Sequence, residues 1–209
     1  MTTRILFLAA AGAIAIGLHP STSQAQSASA LRIEVPAVPA SLEVPSGNDA
    51  FLEGLAVGTQ NCICLPAATG FKWTFTGPQA TLFLAERGEL QQQLAMHFLG
   101  ANPVEGGLAR PTWLHSSDSS QVWGRVRASA TDGNYVKAGA IPWLLLEVAG
   151  TAAGPTDGSL LARTTFIQRL NTSGGLAPAS GCAQASDVGA IMLVPYTTDY
   201  VFYRSSNRR

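Results

Sequence analysis

At 209 residues, with 13 basic and 13 acidic side chains, the chain has no net charge to draw it to nucleic acid or to an anionic membrane surface. Only Lys72 and Lys137 are lysines, so mobile ammonium groups for phosphate steering or Schiff-base chemistry are scarce. A chain of this size buries enough surface to fold as one domain without needing a metal or a disulfide to do so.

In chain order, the first signal is Arg4 followed by the apolar run Ile5 to Leu18 and the small-residue stretch Ser23-Gln24-Ala25. This pattern reads as an export signal over residues 1–25, cleaved after Ala25, with Ala30 as the alternative. The run falls short of the ~20 residues that a helix needs to span a bilayer. Release as a secreted or periplasmic protein, with no membrane insertion afterwards, is therefore the expectation. No cysteine follows the cleavage point directly, the first being Cys62, so a lipid anchor there is not expected.

Residues 26–50 carry Pro36, Pro39 and Pro45 among valine, alanine and glutamate, which favours an extended leader or linker over a packed helix. Beyond it, residues 51–204 read as one all-β domain. Phe71, Trp73 and Phe75 alternate with Lys72, Thr74 and Thr76, the period of two that marks a half-buried strand. Residues 81–85 and 90–99 flank Glu86-Arg87-Gly88-Glu89, where Gly88 suits the positive φ of a short hairpin loop. Further strands are predicted at 55–64, 121–128, 143–148, 164–170, 190–194 and 200–203, separated by Gly, Pro, Ser and Asp clusters. The run Ile141 to Leu146 is apolar on both alternating faces, as in a strand covered on both sides. Many short antiparallel strands with frequent turns predict a β-sandwich or barrel.

Three cysteines in an exported chain allow one bridge and leave one thiol. Cys62 and Cys64 lie two apart on a predicted strand, and joining them would strain it, which makes Cys182 the better partner. A bridge from Cys64 to Cys182 would be worth about 4 to 5 kcal/mol in the chain-entropy model. The alternative, a metal held by all three cysteines and a histidine, departs from the tight C-x-x-C spacing of structural zinc. No metal and no cofactor are expected.

Beyond residue 25 the only histidines are His97 and His115, so a general acid or base of histidine type must be one of them. His97, in Met96-His97-Phe98-Leu99, reads as a hydrogen-bonded core residue or as a ligand contact at a strand end. Asp118 sits in the turn-rich stretch His115-Ser116-Ser117-Asp118-Ser119-Ser120, where aspartate binds backbone amides. With Trp113 it could instead line a pocket for a sugar, the aromatic face stacking and the carboxylate accepting hydroxyl protons. Trp73, Trp123 and Trp143 read as core. Arg169 and Asn171, at the end of an apolar strand, suit either ligand contact or internal pairing. The G-x-S-x-G elbow, H-E-x-x-H, the phosphate-binding GxxxxGK and GxGxxG after a strand are all absent, which leaves nucleotide-binding and serine-hydrolase readings without support.

Several blocks together resemble an exported family catalogued as domain of unknown function 3455. They include Asn61-Cys62-Ile63-Cys64, Lys72-Trp73-Thr74-Phe75, His97-Phe98-Leu99-Gly100, Pro111-Thr112-Trp113, Gln121-Val122-Trp123-Gly124, Ile167-Gln168-Arg169-Leu170-Asn171 and Val194-Pro195-Tyr196. The resemblance implies that Cys64 and Cys182 occupy the family's cysteine positions. It also implies that Cys62 stands where tyrosine is usual and Ser119 where glycine is usual, and that residues 101–110 form a longer stretch than in relatives. The leading expectation is a non-catalytic binding module for a small molecule or carbohydrate, with His97, Trp113, Asp118 and Arg169 as candidate ligand contacts. The alternatives are a hydrolase-like enzyme using His97 with Asp118, and a structural or interaction protein of the cell envelope.

Overall fold

The computed structural model describes residues 33–86 and 89–207. The export signal read over residues 1–25 and the hairpin residues Arg87 and Gly88 lie outside them. Eight strands run antiparallel in chain order: β1 (Asn48–Pro66), β2 (Phe71–Glu86), β3 (Glu89–Asn102), β4 (Leu108–His115), β5 (Gln121–Ala130), β6 (Trp143–Ala152), β7 (Phe166–Gly174) and β8 (Ile191–Ser205). Each pairs with the next, and β8 returns to pair with β1 from Asn48 opposite Ser205 to Ile63 opposite Ile191, so the sheet closes on itself. Closure leaves no open sheet edge to template association. Of the two architectures expected, the fold is a barrel.

The alternation expected of strands sets what lies inside and outside. Leu144 and Leu146 of β6 pack in the interior cluster with Ile167, Tyr200 and Phe202, while Trp143 and Leu145 of the same strand pack outside with Leu170, Val201 and Tyr203. The run Ile141 to Leu146 is covered on both faces as its composition indicated, although the strand itself starts at Trp143. The outer cover comes from the proline-rich leader. Residues 33–47 are extended apart from one 3-10 turn at Ala40–Leu42, and Ile33, Val35, Val38 and Val44 pack with Leu42 against the outer face of the wall. Leu42 is completely buried, and its carbonyl accepts from Gln168 Nε2 at 2.7 Å. The leader is thus part of the domain's wall.

Two expectations need correction. No strand was predicted at 108–115, where β4 runs, because Pro111 and Arg110 interrupt the alternation. Strands predicted at 190–194 and 200–203 are one continuous β8, as are 71–76 and 81–85 within β2. A register shift between Asn61 and Cys62, opposite Gly77 at φ 140°, carries β1 and β2 through that irregularity without a break. Such bulges bend long strands around a barrel.

The two ends of the barrel differ. At the end holding the β4–β5 and β6–β7 connections, a 3-10 turn (Leu161–Arg163) places Leu161, completely buried, among Trp113, Val122 and Phe202. Among the described residues this forms an apolar floor. The opposite end, where β1 meets β2 and β7 meets β8, is open.

Candidate functional site

Above the floor the inward side chains do not fill the barrel, and a cavity of about 410 Å³ opens at the end with the β1–β2 and β7–β8 connections. Its walls are mostly apolar, including Trp73, Phe75, Leu99, Ile141 and Leu144, with polar groups from Gln60, His97, Arg169 and Tyr200. Gly124 leaves room for the largest of these walls: a Cβ there would lie 3.2 Å from the Trp113 ring.

His97 on β3 lies directly opposite Trp113 on β4. The two rings stack at 4.3 Å and 13°, and the Tyr200 ring meets His97 edge-on at 5.0 Å. His97 Nδ1 lies 2.9 Å from the Thr112 carbonyl. A carbonyl can only accept, so Nδ1 carries the proton and Nε2 keeps its lone pair. Burial, reinforced by the Arg169 charge and opposed by the Thr112 bond, pushes the His97 pKa down to about 3. The ring is neutral at physiological pH.

Arg169 faces inward from β7, and its Nε and Nη2 both donate to the Pro142 carbonyl, at 3.1 and 2.8 Å. That carbonyl fixes the guanidinium without neutralising it. Among the described residues no carboxylate pairs with Arg169. Beside it, burial pushes the Tyr200 hydroxyl pKa upward, so the phenol is protonated. The Tyr196 hydroxyl is likewise pushed upward, by burial first and then by Tyr200. Although Gln60 and Tyr200 are near enough to affect its ionisation, it makes no hydrogen bond of good geometry. The Gln60 amide nitrogen and the Trp113 indole N–H are also buried without a partner among the described residues.

The mouth is held by a cross-link. Cys64 bridges Cys182, tying β1 to the β7–β8 loop whose Gly175, Leu176 and Ala177 line the cavity. Trp73 Nε1 donates to the Ser180 carbonyl at 3.0 Å in the same loop. The bridge consumes two of the three thiols that the metal alternative required. Cys62 is free and buried, and burial raises its thiol pKa, so it has little thiolate character.

Of the four candidate contacts, the structure brings His97, Trp113 and Arg169 to one cavity. Asp118 is at the other end. Its carboxylate accepts from Ser120 N at 2.8 Å, Ser120 Oγ at 2.6 Å and Leu160 N at 2.9 Å, and pairs with His115 Nδ1 at 2.8 Å. Burial raises its pKa most, but these hydrogen bonds and His115 outweigh it and hold the carboxyl well below the usual range. Asp118 is therefore a brace for the floor, anchoring the backbone just before Leu161. The pairing of His97 with Asp118 for hydrolysis is not present. Asn171 also lies away from the cavity, its Nδ2 donating to Asp199 at 2.7 Å.

Sequence reasoning missed Gln60 and Tyr200, and assigned Trp73 to the core. The parity of β8 would have found Tyr200, since it shares a face with Phe202. Trp123 and Trp143 are buried as expected. The stretch 101–110 forms the β3–β4 turn, closed by a bidentate Arg110–Glu105 pair, and does not line the cavity.

Residues 45–204 match the model of a family described as protein of unknown function (DUF3455). The chain belongs to this family. The match covers every strand of the DUF3455 barrel apart from the last residue of β8. No curated protein and no solved structure matches the chain. Ser119 sits at φ 59°, the left-handed region that glycine enters without steric cost. In this DUF3455 member the turn keeps that backbone shape despite the side chain.

Proposed function

We propose that the protein is a secreted or periplasmic binding protein that holds a small, largely apolar molecule inside its barrel. The observation that carries this reading is the cavity of about 410 Å³, walled mainly by apolar and aromatic side chains. At about 30 Å³ per water molecule, such a volume suits a ligand with on the order of a dozen non-hydrogen atoms. A carbohydrate fits the site less well, because no carboxylate lines the cavity to accept sugar hydroxyl protons. The Cys64–Cys182 bridge supports an oxidising compartment. Among the described residues no helix is long and apolar enough to cross a membrane.

Fluorescence of a neutral apolar dye, N-phenyl-1-naphthylamine, tests this reading. Dye emission should rise on binding to the wild-type protein and be largely lost in Val126→Trp, a substitution at a half-exposed position on the cavity wall. Equal emission with both proteins, or none with either, would overturn it.

A further inference from the structure

We infer that the molecule held in the barrel is a monocarboxylate, with its apolar body toward the mouth and its carboxylate held by Arg169. This inference rests on the binding reading above and specifies the ligand's chemical class.

The charge of Arg169 is uncompensated. Of the guanidinium's five N–H donors, two go to the Pro142 carbonyl, a neutral group. The cavity lining contains no aspartate or glutamate, so none of its own side chains pairs the charge, and an anion entering the cavity would. Arginine's planar fork matches a carboxylate better than any other side chain does.

A second, independent observation agrees. Gln60 is 6% exposed and Trp113 is fully buried; both residues line the cavity, and each has a side-chain nitrogen without a partner among the described residues. Buried donors without acceptors are rare and costly, and since both atoms are closed off from the cavity, a side-chain shift on binding is what would bring an acceptor to them. The unpartnered side-chain nitrogens of the lining are thus donors, the complement of an oxygen-rich head group.

The count of charges separates carboxylate from phosphate. His97, the other ionisable nitrogen of the lining, is neutral, because its ring is buried and stacks on Trp113 away from water. The site therefore supplies a single positive charge. A monoanion leaves the buried pair neutral, whereas a phosphate dianion would leave one charge unpaired in an apolar cavity.

The test displaces the neutral dye from wild-type protein with decanoate and with decanol, two chains of one length that differ in the head group. Decanoate should displace the dye at a concentration at least tenfold lower than decanol. In Arg169→Gln, which keeps a donor for the Pro142 carbonyl, decanol should be unchanged and the preference for decanoate should vanish. Equal potency of the two in wild-type protein would overturn the inference, with dye binding still standing for the cavity. Persistence of the preference in a folded Arg169→Gln would also overturn it. If Arg169→Gln fails to fold, Arg169→Met replaces it, and the preference for decanoate should vanish there as well. Dye displacement by neither compound would count against the carboxylate without touching the cavity reading.

Discussion

His97 and Trp113, opposite one another on β3 and β4, stack face to face at 4.3 Å on the inner wall of the barrel. The stack removes the imidazole from water, and water is what would stabilise its charged form. In the unfolded chain the ring takes up a proton near pH 6.5, but in the folded protein only near pH 3. The unfolded state thus binds more protons between these values, so stability is complete above pH 6.5 and falls as pH drops below it. The expected slope is about 1.4 kcal/mol per pH unit. Chemical denaturation between pH 7 and pH 4 should show this loss in the wild type, and His97→Gln should flatten it.

Asp118 has the opposite chemistry and adds to the same acid weakness at lower pH. Its carboxyl is ionised in the folded protein to well below the 3.8 of the free side chain. Its contribution is complete above about pH 4 and is lost as pH falls further. Asp118→Asn should destabilise the protein at pH 7 by about 1 to 3 kcal/mol and remove the slope below pH 4. Neutral-dye binding should survive, because the residue braces the floor and does not line the cavity. Loss of dye binding in a folded variant would assign Asp118 to the site after all.

Leu42 provides a test of the leader as wall. Leu42→Ala should cost about 2 to 5 kcal/mol, the range for removing a fully buried leucine. A change within 0.5 kcal/mol, read from urea midpoints, would return the leader to the status of a linker.

Breaking the Cys64–Cys182 bridge, which joins residues 118 apart, should lower stability by up to about 4 to 5 kcal/mol. Cys62→Ser should leave that redox-dependent difference intact. A maleimide should fail to label native, unreduced protein and should label a single site after denaturation. Labelling at Cys64 or Cys182 without reductant would contradict the pairing.

Ser119→Gly should stabilise the protein by roughly 0.5 to 1 kcal/mol, because it relieves an exposed side chain from a left-handed backbone. A lower melting temperature in the glycine variant would show that the Ser119 side chain contributes something its exposure does not reveal.

Much of the fold was legible because one physical rule, alternation at period two, governs most of the chain. It placed Trp73 and Phe75 on one face and recognised the two-sided burial of Leu144 to Leu146. It could not decide between sandwich and barrel, because closure depends on β1 meeting β8 across nearly the whole sequence. It missed β4, where Pro111 hides a strand whose Trp113 is among the most buried residues. For the site, residue chemistry singled out His97, Trp113 and Arg169, and the fold brings these three to one cavity. Asp118 has the same chemical credentials and lies elsewhere, because hydrogen-bonding capacity does not say which end of a barrel a turn occupies. Gln60 went unnoticed because a glutamine in a strand reads as solvent-facing until its neighbours are known.

The buried floor gives the barrel the topology of a cup. Among the described residues, Leu161 fills the end away from the mouth. For a molecule bound as proposed, arrival and departure would share the mouth, and a second guest would enter only after the first has gone. Exchange between two guests therefore waits on release: at saturating competitor its rate should level off at the departure rate of the resident molecule, however much competitor is added.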